Sequence, residues 1–180
     1  KNMRQEVAKV ADWQKEIQTK MEAAQRSLKE TEVKMNELKN EAVEKIMAVK
    51  SVDKELVALK ERHEAEKKVL KTYAAGCTIA DDEESDQEVD ADDEDAEAAT
   101  KFYEENGKNV NELREKYPKL TRRWYGDAPT DDAVAKQQET VAATQKEIAD
   151  QEAKLAQATE EQEKAKEQYA IVEKEAEEVQ

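Results

Sequence analysis

The sequence predicts an all-α protein. It reads as an elongated antiparallel bundle, or coiled coil, of two long helices joined by a small helical head, with a third short helical segment packed alongside. Three observations carry this. Ala occurs 27 times and Glu 32 times among 180 residues, against three Gly and two Pro. That balance suits long helices and opposes sandwiches or barrels, which need frequent turns. Apolar residues then recur at alternating spacings of four and three over two long stretches, the seam of a packed helix. The breaks between those stretches fall where Gly, Pro and acidic residues gather.

The first helix spans residues 1–75. Its seam runs Met3, Val7, Val10, Gln14, Ile17, Met21, Ala24, Leu28, Thr31, Met35, Leu38, Ala42, Lys45, Val49, Val52, Leu56, Leu59, His63, Glu66, Leu70, Tyr73. Seventy-five helical residues reach roughly 110 Å. Gly76 follows as a left-handed stop. A second stripe of Val43, Ile46, Met47 and Val57 points away from the seam. One partner helix would leave it wet, so a third segment, or another copy of the chain, is expected to cover it.

Residues 76–130 form the head. Within it, 81–95 is an acidic run, DDEESDQEVDADDED, that reads as a solvated loop. Cation binding is the alternative there. Asp90, Asp92 and Glu94 alternate, but the Gly of an EF-hand loop is missing. A helix begins near Asp92 to Asp95 and runs to Asn106-Gly107. A second short helix spans about Asn109 to Tyr117 and ends at Pro118. Residues 118–130 are irregular by composition, and Thr130 is the cap of the last helix.

That last helix occupies 131–180. Its seam is Val134, Gln137, Val141, Thr144, Ile148, Gln151, Leu155, Ala158, Gln162, Ala165, Tyr169, Val172, Ala176, Val179. An adjoining stripe of Ala135, Ala142, Ala149 and Ala156 permits close helix approach. It is about 25 residues shorter than the first helix, so either the first overhangs or the short middle helices pack along it and cover the second stripe.

The net charge is −15, with 17 basic and 14 acidic residues in 1–75 but 12 acidic and no basic residues in 76–100. Such a chain repels phosphates and anionic lipid, so neither nucleic acid nor a membrane surface is an expected partner. One Cys and one His exclude a self-contained Cys/His zinc site and a disulfide framework. No phosphate loop, nucleophile motif or metal-ligand spacing occurs. We therefore expect no catalytic residues, no metal, no cofactor and no enzymatic activity.

His63 and Glu66 share the seam and read as a polar layer that sets register. Cys77 reads as an inert thiol, because the nearby acidic run opposes a thiolate. Arg122, Arg123, Trp124 and Tyr125 are the candidate partner contact, since Arg and Trp are common interface anchors. The competing role is head packing. The large aromatics of the head are Phe102, Tyr103, Tyr117, Trp124 and Tyr125.

This combination resembles the glutamic acid/alanine-rich protein of trypanosomes, a surface coat protein. The resemblance rests on the Glu and Ala excess, the long helix ending at Gly76, the acidic head insert and the Ala-rich return over 131–180. It implies a helical bundle on the cell surface, related to variant surface glycoproteins. It also implies a removed leader and a glycosylphosphatidylinositol anchor beyond Gln180, the sole link to membrane. Opening on Lys1, the sequence reads as a processed or trimmed segment. Three readings follow: a barrier-forming coat protein, a surface receptor for a host protein on the same scaffold, and an intracellular coiled-coil tether. A homodimer is compatible with each.

Overall fold

The computed structural model describes residues 2–80 and 94–179. The fold is an all-α helical bundle, with five helices among the described residues: α1 (Asn2–Ala74), α2 (Glu94–Glu105), α3 (Val110–Lys116), α4 (Pro118–Tyr125) and α5 (Asp131–Val179). The chain divides into two units, Lys1–Asp53 with Ala153–Gln180, and Lys54–Glu152. Helices α1 and α5 contribute to both.

In the first unit α1 and α5 run antiparallel, with Lys45 Nζ 3.0 Å from Glu161 Oε2. Both residues lie where the heptad count places them or beside it. From Thr31 to Val49 every seam residue of α1 is at least half-buried, and α5 answers with buried Ala165 and Val172. Before Thr31 the pattern continues but the cover stops. Met3, Val7, Val10, Ile17, Met21 and Leu28 are all exposed, as are Gln14 and Ala24 between them. The expected overhang is present.

The second unit holds the tightest packing. Leu56 and His63 of α1 are buried, and so are Thr144, Ile148 and Gln151 of α5. Polar seam residues here find partners across the helix pair. Gln151 Nε2 donates to Glu55 Oε2 at 3.0 Å, and Gln137 Nε2 donates to the Glu66 carbonyl at 2.9 Å. A seam can carry these two glutamines because each side-chain amide finds an acceptor on the facing helix.

The second stripe is covered only in part. Ile46 is half-buried, whereas Val43, Met47 and Val57 remain exposed. The short helices pack on one another, because their own apolar residues suffice for a small core. Buried Ala99, Leu113 and Leu120 form it, one each from α2, α3 and α4.

A second correction concerns residues 118–130. Pro118 does not merely end a helix; it opens α4. Proline suits the first helical position because its fixed φ is helical and its missing N–H would have lacked a partner there. Tyr117, Leu120, Thr121 and Trp124 then share one inward face at helical spacing, with Leu120 and Thr121 buried. The acidic run falls outside the described residues except for Glu94 and Asp95, which open α2.

Helix ends follow the predicted local rules. Gly76, at φ 84°, closes α1: its N–H donates to the Tyr73 carbonyl, and Cys77 N–H donates to Thr72. That pair of bonds is the Schellman arrangement. Asn109 Oδ1 caps α3 by accepting from Asn111 and Glu112 N–H, and Thr130 Oγ1 caps α5 by accepting from Ala133 N–H.

Candidate interaction surface

The sequence singled out Arg122, Arg123, Trp124 and Tyr125, four consecutive residues that end α4. On a helix they cannot face one way. Arg122 and Arg123 are exposed, whereas Trp124 and Tyr125 are half-buried. Both rings pack against the Ala99–Leu113–Leu120 core together with Phe102, Tyr103 and Tyr117. Tyr125 lies 5.5 Å from Tyr103 between ring centres, and Phe102 meets Tyr117 edge-on at 6.0 Å. Lys116 Nζ caps the Phe102 face at 4.5 Å, a favourable cation–π geometry. The aromatics are thus committed to the head core, and the arginines are left outside it. Arg122 Nε pairs with Asp127 Oδ1 at 3.0 Å. Both side chains are largely in solvent, so the pair contributes little.

Arg114 plays a part that the sequence did not reveal. Its Nη1 donates to the Gly76 carbonyl and its Nη2 to the Gly126 carbonyl, each at 2.9 Å. One guanidinium thereby ties the segment leaving α1 to the segment approaching α5. Backbone bonds reinforce the junction, with Thr78 and Ile79 N–H both donating to the Tyr125 carbonyl. The signal available in sequence was weak: a lone Arg in a seven-residue helix, with acceptors 38 and 12 residues away.

His63 and Glu66 do share a packed face, but each has its own circumstances. The Glu66 carboxylate accepts from Thr144 Oγ1 at 2.6 Å and pairs with Arg62 Nε at 3.3 Å. His63 is buried, and its Nδ1 has no hydrogen-bond partner among the described residues. A buried polar atom without a partner costs about 1–3 kcal/mol. His63→Leu, apolar and of similar size, is therefore expected to stabilise the second unit by about 1 kcal/mol. Urea unfolding at neutral pH, followed by circular dichroism, checks this; a lower midpoint would show that His63 makes a contribution worth keeping.

The Lys45–Glu161 pair shifts both groups. The hydrogen bond and charge of Glu161 raise Lys45, and those of Lys45 hold Glu161 below the usual carboxylate range. The side chains are 35% and 44% exposed, so salt screens the attraction. Its benefit is present above the unfolded Glu value and fades as pH falls through the lowered one. Cys77 is buried, and its Sγ donates to the Ala75 carbonyl at 3.8 Å.

Among the described residues no group of His, Cys, Asp and Glu is placed to hold a metal ion, and no helix is long and apolar enough to cross a membrane. No known protein family, curated protein or solved structure matches the chain.

Proposed function

We propose that this is a non-enzymatic coat protein of a cell surface, anchored through a segment beyond Gln180 and forming part of a barrier by lateral packing of helical bundles. The observation that carries the reading is the construction of the head. The chain reverses through three short helices whose aromatic residues are spent on an internal core, while the residues left outside are mainly charged or polar. A reversing, closed end suits a protein that presents that end to its surroundings. A coiled-coil tether, which works through both ends of an uninterrupted helix, has no use for it. The reading rests on this architecture and on the resemblance in composition and helix order, not on any matched relative.

The receptor reading on the same scaffold has less support. It needs a rigid aromatic anchor beside Arg122 and Arg123, and Trp124 and Tyr125 are turned toward the core instead. The test is antibody labelling of intact source cells, repeated after a phospholipase that cleaves glycosylphosphatidylinositol anchors. Surface label that the enzyme releases is the expected result. Label that appears only after permeabilisation would overturn the proposal and favour the tether.

A further inference from the structure

The uncovered first part of α1 is the largest feature that the fold leaves unexplained. Its heptad repeat runs without interruption from Met3 into the buried seam that begins at Thr31. Met3 is 79% exposed, Val7 68%, Trp13 63% and Ile17 58%. Apolar residues at sustained seven-residue spacing are wasted on a helix that stands in water, and contiguous exposed apolar surface of this kind marks an association site.

We propose that a second copy of this chain covers the seam from Met3 to Leu28, its own α1 lying antiparallel. This inference stands apart from the coat reading and concerns a different surface from the Val43–Val57 stripe. Register, steric fit, and charge with area select the occupant and its direction.

The first is register. Pairing residues whose numbers add to 31 sets Met3 against Leu28, Val7 against Ala24, Val10 against Met21 and Gln14 against Ile17 of the other copy. Every seam position is used, the smallest residue meets a β-branched one, and the lone polar residue meets an aliphatic one. In a parallel, in-register pair, Ala24 would face Ala24 and leave a void, and Gln14 would face Gln14.

The second is steric. Within the first unit Lys45 lies against Glu161. Counting fourteen residues back along α1 and fourteen forward along α5 brings Thr31 opposite Glu175, which is where the cover of the seam begins. A parallel copy would have to continue beside α1 past Thr31, where α5 already occupies the same face. An antiparallel copy meets only the last turn of α5, which ends at Val179, and beyond that turn it extends the same line, so the two helices cover one seam almost in succession.

The third is charge and area. The flanking positions in the antiparallel register pair Trp13 with Lys20, Glu6 with Ser27, Arg4 with Gln25 and Ala11 with Gln18. No like charges meet, Trp13 gains a cationic neighbour, and the helix dipoles oppose. Sixteen seam side chains would be buried, eight from each copy. An average loss of about 75 Å² from each reaches the ~1,200 Å² of a stable interface.

The test is sedimentation equilibrium of the 180-residue chain, with Ile17→Asp as the disrupting variant. The native chain should sediment as a dimer. Ile17→Asp should be monomeric at the same concentration, while Trp124 and the head retain their near-ultraviolet circular dichroism in a Trp13→Phe background. A native chain that is monomeric at about 100 µM, well above the micromolar range of modest interfaces, would overturn the proposal. A dimer unaffected by Ile17→Asp would overturn it too, placing the interface elsewhere. Direction is read by disulfide trapping. Val7→Cys mixed with Ala24→Cys should cross-link as a heterodimer, whereas Val7→Cys cross-linking chiefly to itself would establish a parallel pair and refute the register argued above.

Discussion

Replacing Leu113 with alanine is expected to cost the second unit about 2–5 kcal/mol. Leu113 is fully buried, at 0% exposure, and it sits on α3 between the other two helices of the head. It touches a core with few other members: Ala99, Leu120 and the rings around them. Truncation removes the side-chain methyl groups from that apolar setting and leaves a cavity beside rings already engaged with one another. The head cannot collapse freely onto the gap, because α3 is capped by Asn109 at one end and bound through Arg114 near the other. A cost at the upper end of the range follows from that rigidity. Domains of this kind are stable by only about 5–15 kcal/mol, so the loss is a large share of the total. Urea unfolding observed through Trp124 fluorescence, in a Trp13→Phe background, would read it. Far-ultraviolet dichroism should fall less than the Trp signal at intermediate urea, since most helical residues lie in α1 and α5. A change below about 1 kcal/mol, the range of ordinary surface substitutions, would mean that the aromatic shell holds the head without Leu113.

The parts of this fold that were legible in sequence are those governed by short-range rules. The heptad count placed the α1 and α5 seams because burial against one neighbour repeats every three and four residues, and from Thr31 to Tyr73 each seam position is at least half-buried. The Gly76 stop and the Thr130 cap were readable because each depends on a few adjacent residues. What failed depended on context. Pro118 is ambiguous by nature: the same missing N–H that ends one helix qualifies it to start another, and only the inward face of Leu120, Thr121 and Trp124 decides. In the second stripe Ile46 is half-buried, but Val43, Met47 and Val57 are apolar without being covered, because apolar pattern reports a capacity for packing and not the presence of a partner. At the candidate contact, sequence brought Arg122 to Tyr125 together as one cluster, whereas helix geometry sends the rings inward and the arginines out. The Arg114 tie lay beyond reach because its acceptors are main-chain carbonyls of distant residues, which leave no side-chain pattern to read.

Arg114→Met is expected to destabilise the second unit by about 3 kcal/mol, because two charge-assisted hydrogen bonds are lost together. Methionine keeps much of the aliphatic stem, so the change isolates the guanidinium from its packing. The two acceptors belong to glycines for a reason. Gly76 has φ 84°, and a Cβ there would come 2.6 Å from Asn111 Oδ1. Gly126 has φ 73° and ψ −174°, a region that is essentially glycine's alone, and a Cβ there would collide with Thr78 Oγ1. These backbones are therefore fixed in conformations that aim both carbonyls at one point, and the planar fork of arginine spans the two. Lysine supplies a single ammonium on a flexible stem, so Arg114→Lys should recover at most one of the bonds and less than half of the loss. Hydrogen exchange separates this account from a general softening of α3. The amides of Thr78 and Ile79, bonded to the Tyr125 carbonyl at 2.9 and 3.0 Å, lie on the tied segment and should lose protection in both variants. The Leu113 amide, bonded to Asn109 within the α3 cap, should keep most of its protection. If Arg114→Lys matched the native protein at both amides, a positive charge alone would be sufficient there, and the bridging geometry would have no part in closing the head.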